Sequence, residues 1–175
     1  MKNVFVMTCA LLLACPMAQG EQRWKYSESK DDISGKAVRV VAVVGEDNKS
    51  VLVLRAEEGK KATITIVPSE TIFPDKTHVA SKTMAVRVTF RSSAMSEPKS
   101  GLWQMAWMDY KSASAPCSKK GATDTLFAGD TITIQFDSTG KRCKFVTAGE
   151  DAEGLKEAVA KAIEIAADEP GGEGQ

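Results

Sequence analysis

The chain has 175 residues, of which 23 are basic and 23 acidic, so its net charge near pH 7 is zero. This balance argues against a nucleic-acid-binding protein, because such proteins usually present a clustered basic face. The chain contains a single histidine, His78, which leaves few groups able to shuttle a proton at neutral pH. The length is sufficient for one domain with its own hydrophobic core.

Residues 1–20 have the pattern of a secretory signal peptide. Lys2 supplies a positive charge, residues 4–14 form an uncharged run, and Ala18 and Gly20 are the small residues that a signal peptidase recognises. The run is shorter than the ~20 apolar residues that a membrane-spanning helix needs. It also lacks a polar face, which argues against a buried N-terminal helix. We therefore expect cleavage after Gly20 and a periplasmic or secreted protein.

A second type of processing is an alternative. Leu12, Leu13, Ala14 and Cys15 resemble a bacterial lipobox, in which Cys15 becomes the lipidated first residue of the mature protein. Pro16 directly after the cysteine fits this pattern less well. With a lipid on Cys15 the protein would be a membrane-anchored lipoprotein, and this is the one way in which the sequence predicts a membrane partner.

After the signal peptide, the sequence predicts strand after strand. Apolar and polar residues alternate, or apolar β-branched residues follow one another, and Gly, Pro and polar turns separate these segments. The predicted strands are residues 23–27, 37–44, 50–56, 62–67, 83–91, 102–110, 131–136 and 142–147, with a short segment at 124–127. The segments 75–82, 92–100 and 111–123 are predicted to be loops or polar connections.

Near residue 150 the apolar period changes from two to that of a helix. Leu155, Val159, Ala162, Ile163 and Ala166 form one apolar stripe, and residues 168–175 contain no apolar residue and are predicted to be a disordered tail. The chain is therefore expected to be a signal peptide (1–20), one β-rich domain with a C-terminal helix (21–167) and the tail. The fold class is mainly β, an antiparallel β-sandwich or partly open barrel with one C-terminal α-helix.

Two cysteines, Cys117 and Cys143, remain after removal of the signal peptide. In an oxidising compartment two such cysteines most often pair, so we expect a Cys117–Cys143 disulfide. A metal pair or a reactive thiol is the alternative. The single histidine and the absence of a CxxC motif provide too few ligands for zinc, and we expect neither a metal nor a cofactor.

Catalytic motifs are missing from the sequence. It contains no GxSxG, HExxH or glycine-rich phosphate loop, and no Ser–His–Asp set is expected because His78 lies in a predicted loop. Asp109, next to Trp107 and Tyr110, is the one carboxylate in an aromatic setting. We expect the protein not to be an enzyme.

Aromatic and basic residues provide the candidate partner-binding surface. Trp103, Trp107 and Tyr110 could contact a partner, because aromatic side chains supply a large contact area at low entropic cost. The alternation of the strand favours a core position for Trp103 and Trp107 instead. Lys119 and Lys120, in the connection that holds Cys117, are further candidates.

Several short motifs, in order along the chain, resemble one family of exported proteins. They are WxxS at 24–27, DDxSGK at 31–36, VLVLR at 51–55, VRVTFR at 86–91, a central Trp strand and FVTAGEDAEGLKEAV at 145–159. This order is similar to that of periplasmic accessory proteins of type VI secretion clusters, of the VasI/TagO kind, and of related phage- or invasion-associated exported proteins. In those proteins Arg-Cys usually ends the strand where this chain has Arg55-Ala56, and a cysteine lies near the end of the helix, where this chain has none. The resemblance implies an exported β-sandwich domain without catalytic residues.

The sequence leads to three hypotheses for the function. The first is a non-enzymatic envelope accessory or binding protein, whose partner is another envelope or secretion-system protein. The second is an inhibitor of a cell-wall hydrolase, similar to a lysozyme inhibitor, with residues 116–120 as a loop that plugs a cleft. The third is a cell-wall hydrolase with a carboxylate site at Asp109. No feature of the sequence specifies an oligomeric state.

Overall fold

The computed structural model describes residues 23–70, 83–106, 112–149 and 151–167. These residues form one curled, half-barrel sheet of nine strands and a C-terminal helix, and every pairing between strands is antiparallel. The order of strands across the sheet is β1-β2-β3-β4-β7-β6-β5-β8-β9. The predicted mainly β fold is therefore confirmed, with a single open barrel-like sheet in place of two stacked sheets.

The bounds of the elements follow the alternation of the sequence closely. The strands are β1 (Trp24–Lys30), β2 (Ala37–Val44), β3 (Val51–Glu57), β4 (Ala62–Val67), β5 (Thr83–Ser92), β6 (Lys99–Ala106), β7 (Ala113–Cys117), β8 (Thr131–Phe136) and β9 (Arg142–Val146). The helical elements are α1 (Lys119–Gly121), a π-helical turn (Ala122–Leu126) and α2 (Ala152–Glu164).

The concave side of the sheet holds the main core. In β4 and β8, residues alternate strictly between buried and half-buried, so each strand contributes every second side chain to the interior. Phe136 and Phe145 are among the largest fully buried side chains. β2 and β3 are apolar on both faces because a second, small cluster lies on the convex side: Val40, Ala42, Val51, Val53 and Val67.

Helix α2 packs its apolar stripe against this core. Its buried residues are Leu155, Ala158, Val159, Ala162 and Ile163. Gly154 lets the helix approach β1 closely, since a Cβ at this position would lie 3.1 Å from Cζ2 of Trp24. At the other end of the helix, the guanidinium of Arg39 donates hydrogen bonds to the carbonyl oxygen of Lys161 (2.7 Å) and to Glu164 (3.1 Å).

The prediction of a polar connection at residues 111–123 is partly wrong. The expected polar connection contains strand β7, and α1 and the π-helical turn follow it. The composition of β7 (ASAPC) carries little strand propensity, so its conformation depends on pairing with β4 and β6. Leu126 and Phe127 then fill the core as the chain leaves the turn.

The predicted Cys117–Cys143 disulfide is wrong, because both thiols are free in the structure. Cys117 lies opposite Ala62, the first residue of β4, whereas Cys143 contacts Ser50, which adjoins the other end of that strand. Six residues of strand span about 17 Å. A disulfide requires the two Cα atoms to lie within about 7 Å.

Several predictions fall outside the described residues. These are the signal peptide, lipidation of Cys15, the loop with His78, the positions of Trp107, Asp109 and Tyr110, and the disordered tail. Among the helices that the structure describes, none combines the length and the apolar character needed to span a bilayer.

Candidate binding surface on the convex face of the sheet

The convex side of strands β5, β6, β8 and β9 carries arginine among short polar side chains. Residues opposite one another in an antiparallel sheet share a face, so the register assigns each side chain to a side. Arg91, Thr133 and Lys144 form one row across β5, β8 and β9. The next rows place Gln135 between Thr89 and Arg142, and Leu102 opposite Arg87. We call this surface the arginine face, defined by Arg87, Arg91, Leu102, Gln135 and Arg142.

Hydrogen bonds fix part of the arginine face. Nε of Arg142 donates to Oε1 of Gln135 at 2.7 Å, which orients the guanidinium along the sheet. The hydroxyl oxygens of Thr89 and Ser100 lie 2.6 Å apart on the neighbouring strands. A binding surface that is held in place in the free protein loses less entropy on association than a mobile one.

The charge of this face is uniformly positive along its strands. The sequences of β4 to β9 contain no aspartate or glutamate. Lys144, at one margin, pairs with Glu46 at 2.8 Å, which leaves the arginines as the main charges of the face. The chain as a whole is neutral, whereas the strands of this face carry basic residues without acidic ones.

Leu102 adds an apolar contact to the arginine face. Its side chain is 62% exposed, although it lies in the middle of a strand, and its strand neighbour across the sheet is Arg87. Arginine is enriched at protein–protein interfaces, and the exposed leucine adds apolar area beside it. The arrangement therefore fits a protein partner better than a small ligand.

The predicted partner-binding residues have different positions. Trp103 is 5% exposed and packs in the core, with its ring 6.3 Å from that of Phe90, so its assignment to a contact surface is wrong. Trp107 and Tyr110 lie outside the described residues. Lys119 and Lys120 begin α1, where Ser118 caps the turn by accepting a hydrogen bond from Gly121 N at 3.0 Å.

Residues 116–120 do not form the loop that a cleft-plugging inhibitor would need. Pro116 lies within β7, opposite Thr63 of β4, and the chain turns directly into α1 after Ser118. A plug must protrude, whereas this segment begins inside the sheet and continues into a helix. The segment therefore gives the inhibitor hypothesis no geometric support.

A buried polar cluster joins β9 to the turn between β2 and β3. The hydroxyl of Ser50 is fully buried, donates to Oδ2 of Asp47 (2.6 Å) and accepts from the backbone N–H of Ser69 (3.1 Å). Sγ of Cys143 lies 3.6 Å from the same hydroxyl. Burial raises the pKa of the Cys143 thiol, and Asp47 raises it further, while Ser50 and Lys141 act in the opposite direction.

This cluster lacks the chemistry of a nucleophilic site. The raised pKa keeps the Cys143 thiol protonated near neutral pH, and a protonated thiol is a poor nucleophile. Burial also raises the pKa of Cys117, to about 11. Within the described residues, no three His, Cys, Asp or Glu side chains are arranged to hold a metal ion.

One cleft lies between the π-helical turn and α2. Its volume is about 220 Å³, and its lining residues are Thr123, Phe127, Ala128, Lys156, Val159 and Ala160. Binding pockets for drug-sized molecules are usually ~300 Å³ or larger. The cleft is therefore smaller than the usual site for an organic ligand.

The fold and the arginine face define an open β half-barrel with an exposed, basic sheet surface. No protein-family model, curated protein or solved structure matches the chain.

Sequence reasoning missed the arginine face, although part of its pattern was visible. The alternation of β5 places Arg87, Thr89 and Arg91 on one side of the strand. What the sequence did not reveal is that β8 and β9 extend the same face with Gln135 and Arg142. This follows only from the order of strands in the sheet.

Proposed function

We propose that this protein is an exported, non-enzymatic accessory protein of the cell envelope, and that it binds an acidic protein partner through the arginine face. The observation that carries the proposal is the composition of this face. The strand pairings place three arginines and an exposed leucine on it, and its strands contain no carboxylate. The signal-peptide pattern of residues 1–20 supports the location. The resemblance to VasI/TagO-like proteins supports a component of a secretion system as the partner.

The chemistry of the face selects for carboxylate-rich surfaces. A guanidinium donates two parallel hydrogen bonds to a carboxylate, and this geometry is specific as well as strong. Three guanidinium groups, two on β5 and one on β9, would contact a cluster of Asp and Glu side chains, and Leu102 would contact apolar surface of the partner. The attraction between the two faces would also raise the association rate at low ionic strength.

The environment of the cysteine thiols and of the Ser50 hydroxyl supports a binding role rather than a catalytic one. The thiols of Cys117 and Cys143 have raised pKa values, and the buried Ser50 hydroxyl donates its hydrogen bond to Asp47, a weak base because its pKa is lowered. General base catalysis at neutral pH needs a group whose pKa lies near the working pH. These residues instead explain how the turn between β2 and β3 is joined to β9.

Charge reversal on the arginine face tests the proposal. The purified protein and the double variant Arg87→Glu/Arg91→Glu are used as baits in crosslinking pull-downs from envelope extracts, with quantification by mass spectrometry. We expect acidic proteins that the native chain recovers to be depleted at least about tenfold with the variant. Binding of each recovered protein, measured after its purification, should weaken as salt is raised.

Lys120→Glu is the control, because it reverses one charge at an exposed residue of α1, away from the arginine face, and it is compared with Arg87→Glu alone, which makes the same change in charge. It should recover the same proteins as the native chain. Equal loss with Lys120→Glu would point to the segment that contains Lys119 and Lys120. Full recovery by the double variant would refute the proposal, and circular dichroism would show that the variant is folded.

A further inference from the structure

The two edges of the sheet differ, and the difference suggests a second interaction of this protein. The chain has edge strands at β1 and β9. Edge strands carry backbone N–H and C=O groups that no neighbouring strand satisfies, so they are natural sites for adding another strand. The β9 edge is partly covered, because the backbone N–H of Glu46 donates to the outward carbonyl of Lys144 at 2.9 Å.

The β1 edge is the open one. Hydrogen bonds from Val44 N to Arg23 O and from Asp31 N to Lys36 O, both 2.8 Å, show that the odd-numbered residues of β1 bond to β2. In an antiparallel pair the bonding direction alternates, so the even-numbered residues direct their backbone groups away from the sheet. These residues are Trp24, Tyr26, Glu28 and Lys30. No backbone bond between described residues, apart from those within the sheet, involves any of the four.

The sequence of β1 is complementary to itself in the antiparallel direction. Pairing about Ser27 places Trp24 opposite the partner's Lys30, Tyr26 opposite the partner's Glu28, and Lys25 opposite the partner's Ser29. No like charges then face each other, and a cation lies next to an aromatic ring at each end. All seven residues of the strand are paired, and the outward groups of the four even-numbered residues meet in hydrogen-bonding register.

Other registers are worse. A shift by one residue would set outward backbone groups opposite inward ones, so only shifts by two are compatible with hydrogen bonding. One such shift places Glu28 opposite the partner's Glu28, which brings like charges together, and both shifts leave two residues of β1 unpaired.

We infer that this protein forms a two-fold symmetric dimer through antiparallel pairing of β1 with the β1 strand of a second copy, centred on Ser27. The two half-barrels then form one continuous sheet of twice the width. The contact is isologous, so it closes at two copies. The inference concerns the edge of the sheet and does not depend on a partner at the arginine face.

Sedimentation velocity of the purified protein over a range of concentrations tests the inference. The same measurement is made on variants with substitutions at Ser27, the residue at the two-fold axis. Ser27 is half-buried on the convex side and would lie directly opposite the partner's Ser27. Ser27→Lys and Ser27→Glu each place like charges across the axis, and we expect each to raise the dimer dissociation constant at least about fivefold. An equimolar mixture of the two variants should recover a heterodimer, because opposite charges then face each other. Ser96→Lys, at an exposed loop residue, should leave dimerisation unchanged.

Amide hydrogen exchange provides a readout that needs no substitution. The amides of Trp24, Tyr26, Glu28 and Lys30 should become protected as the concentration of the native protein increases, while amides of the arginine face should not. A native chain that stays monomeric up to millimolar concentration would refute the inference. So would a dimer that Ser27→Lys leaves intact, or one that the mixture of charge variants fails to restore. Arg87→Glu/Arg91→Glu should still form the dimer even if it loses the envelope partner.

Discussion

Alkylation of Cys117 in the folded protein is predicted to be about one hundred times slower than alkylation of an ordinary exposed cysteine at pH 8. The cause is burial, which raises the pKa of the Cys117 thiol from its ordinary value of 9.0 to about 11. Thiolate is the reactive form, so the rate at a pH below both pKa values follows the fraction of thiolate. That fraction falls about tenfold for each unit of pKa, which gives about one hundredfold.

The assay is iodoacetamide labelling of the purified protein at pH 8, followed by mass spectrometry at timed intervals. Cys143 should also react slowly, because burial raises its pKa in the same direction. Both thiols should label rapidly once the protein is unfolded in denaturant without reductant. Free glutathione in the same buffer calibrates the rate of an unhindered thiol.

The same samples test the disulfide that the sequence suggested. A Cys117–Cys143 crosslink would block labelling in unreduced denaturant and would lower the intact mass by two hydrogens. Either result would refute the separation of the two cysteines at opposite ends of β4. Rapid labelling of Cys117 in the folded protein would instead refute the burial argument.

The other predictions concern stability and can be checked by urea denaturation. Phe145→Ala removes a fully buried ring and should lower the free energy of unfolding by about 3–5 kcal/mol, whereas Leu102→Ala, at an exposed position, should change it by less than about 0.5 kcal/mol. Gly154→Val should destabilise the protein by about 1–3 kcal/mol although valine has the higher helix propensity, because a Cβ at this position would lie 3.1 Å from Trp24; an unchanged or higher stability would contradict the close approach. Burial alone would raise the pKa of Asp47, but hydrogen bonds from Ser50 and Lys49 outweigh it and lower the pKa on balance. The stabilisation by Asp47 is therefore present above its unfolded pKa and is lost as the pH falls through the lower, folded pKa. Asp47→Asn should be less stable than the native chain at pH 7, and this difference should shrink as the pH falls below the ordinary pKa of 3.8; a difference that stays constant into that acidic range would refute the assignment.

The sequence alone determined the type of most elements. β2, β3, β4, β5, β8, β9 and α2 have strong patterns of period two or of helical period, and their bounds lie within a few residues of those expected. These patterns are local, because each records which side chains of one segment are buried. The favoured core position of Trp103 follows from the same alternation.

Strand β7 and the separation of the cysteines depended on the tertiary structure. The residues of β7 have little preference for a strand, and only the neighbouring strands β4 and β6 give them one. The spacing of Cys117 and Cys143 along the chain contains no information about their distance across the sheet. A count of two cysteines predicts a pair, whereas the register places them at opposite ends of β4.

The arginine face and the open β1 edge are also products of the order of strands. The sequence shows that Arg87 and Arg91 share one side of β5, and it shows that β1 is a strand. It does not show that β8 and β9 continue the basic surface, or that β1 lies at the end of the sheet. Both facts arise from pairings between residues far apart in the chain, and local patterns of burial do not encode which strands become neighbours.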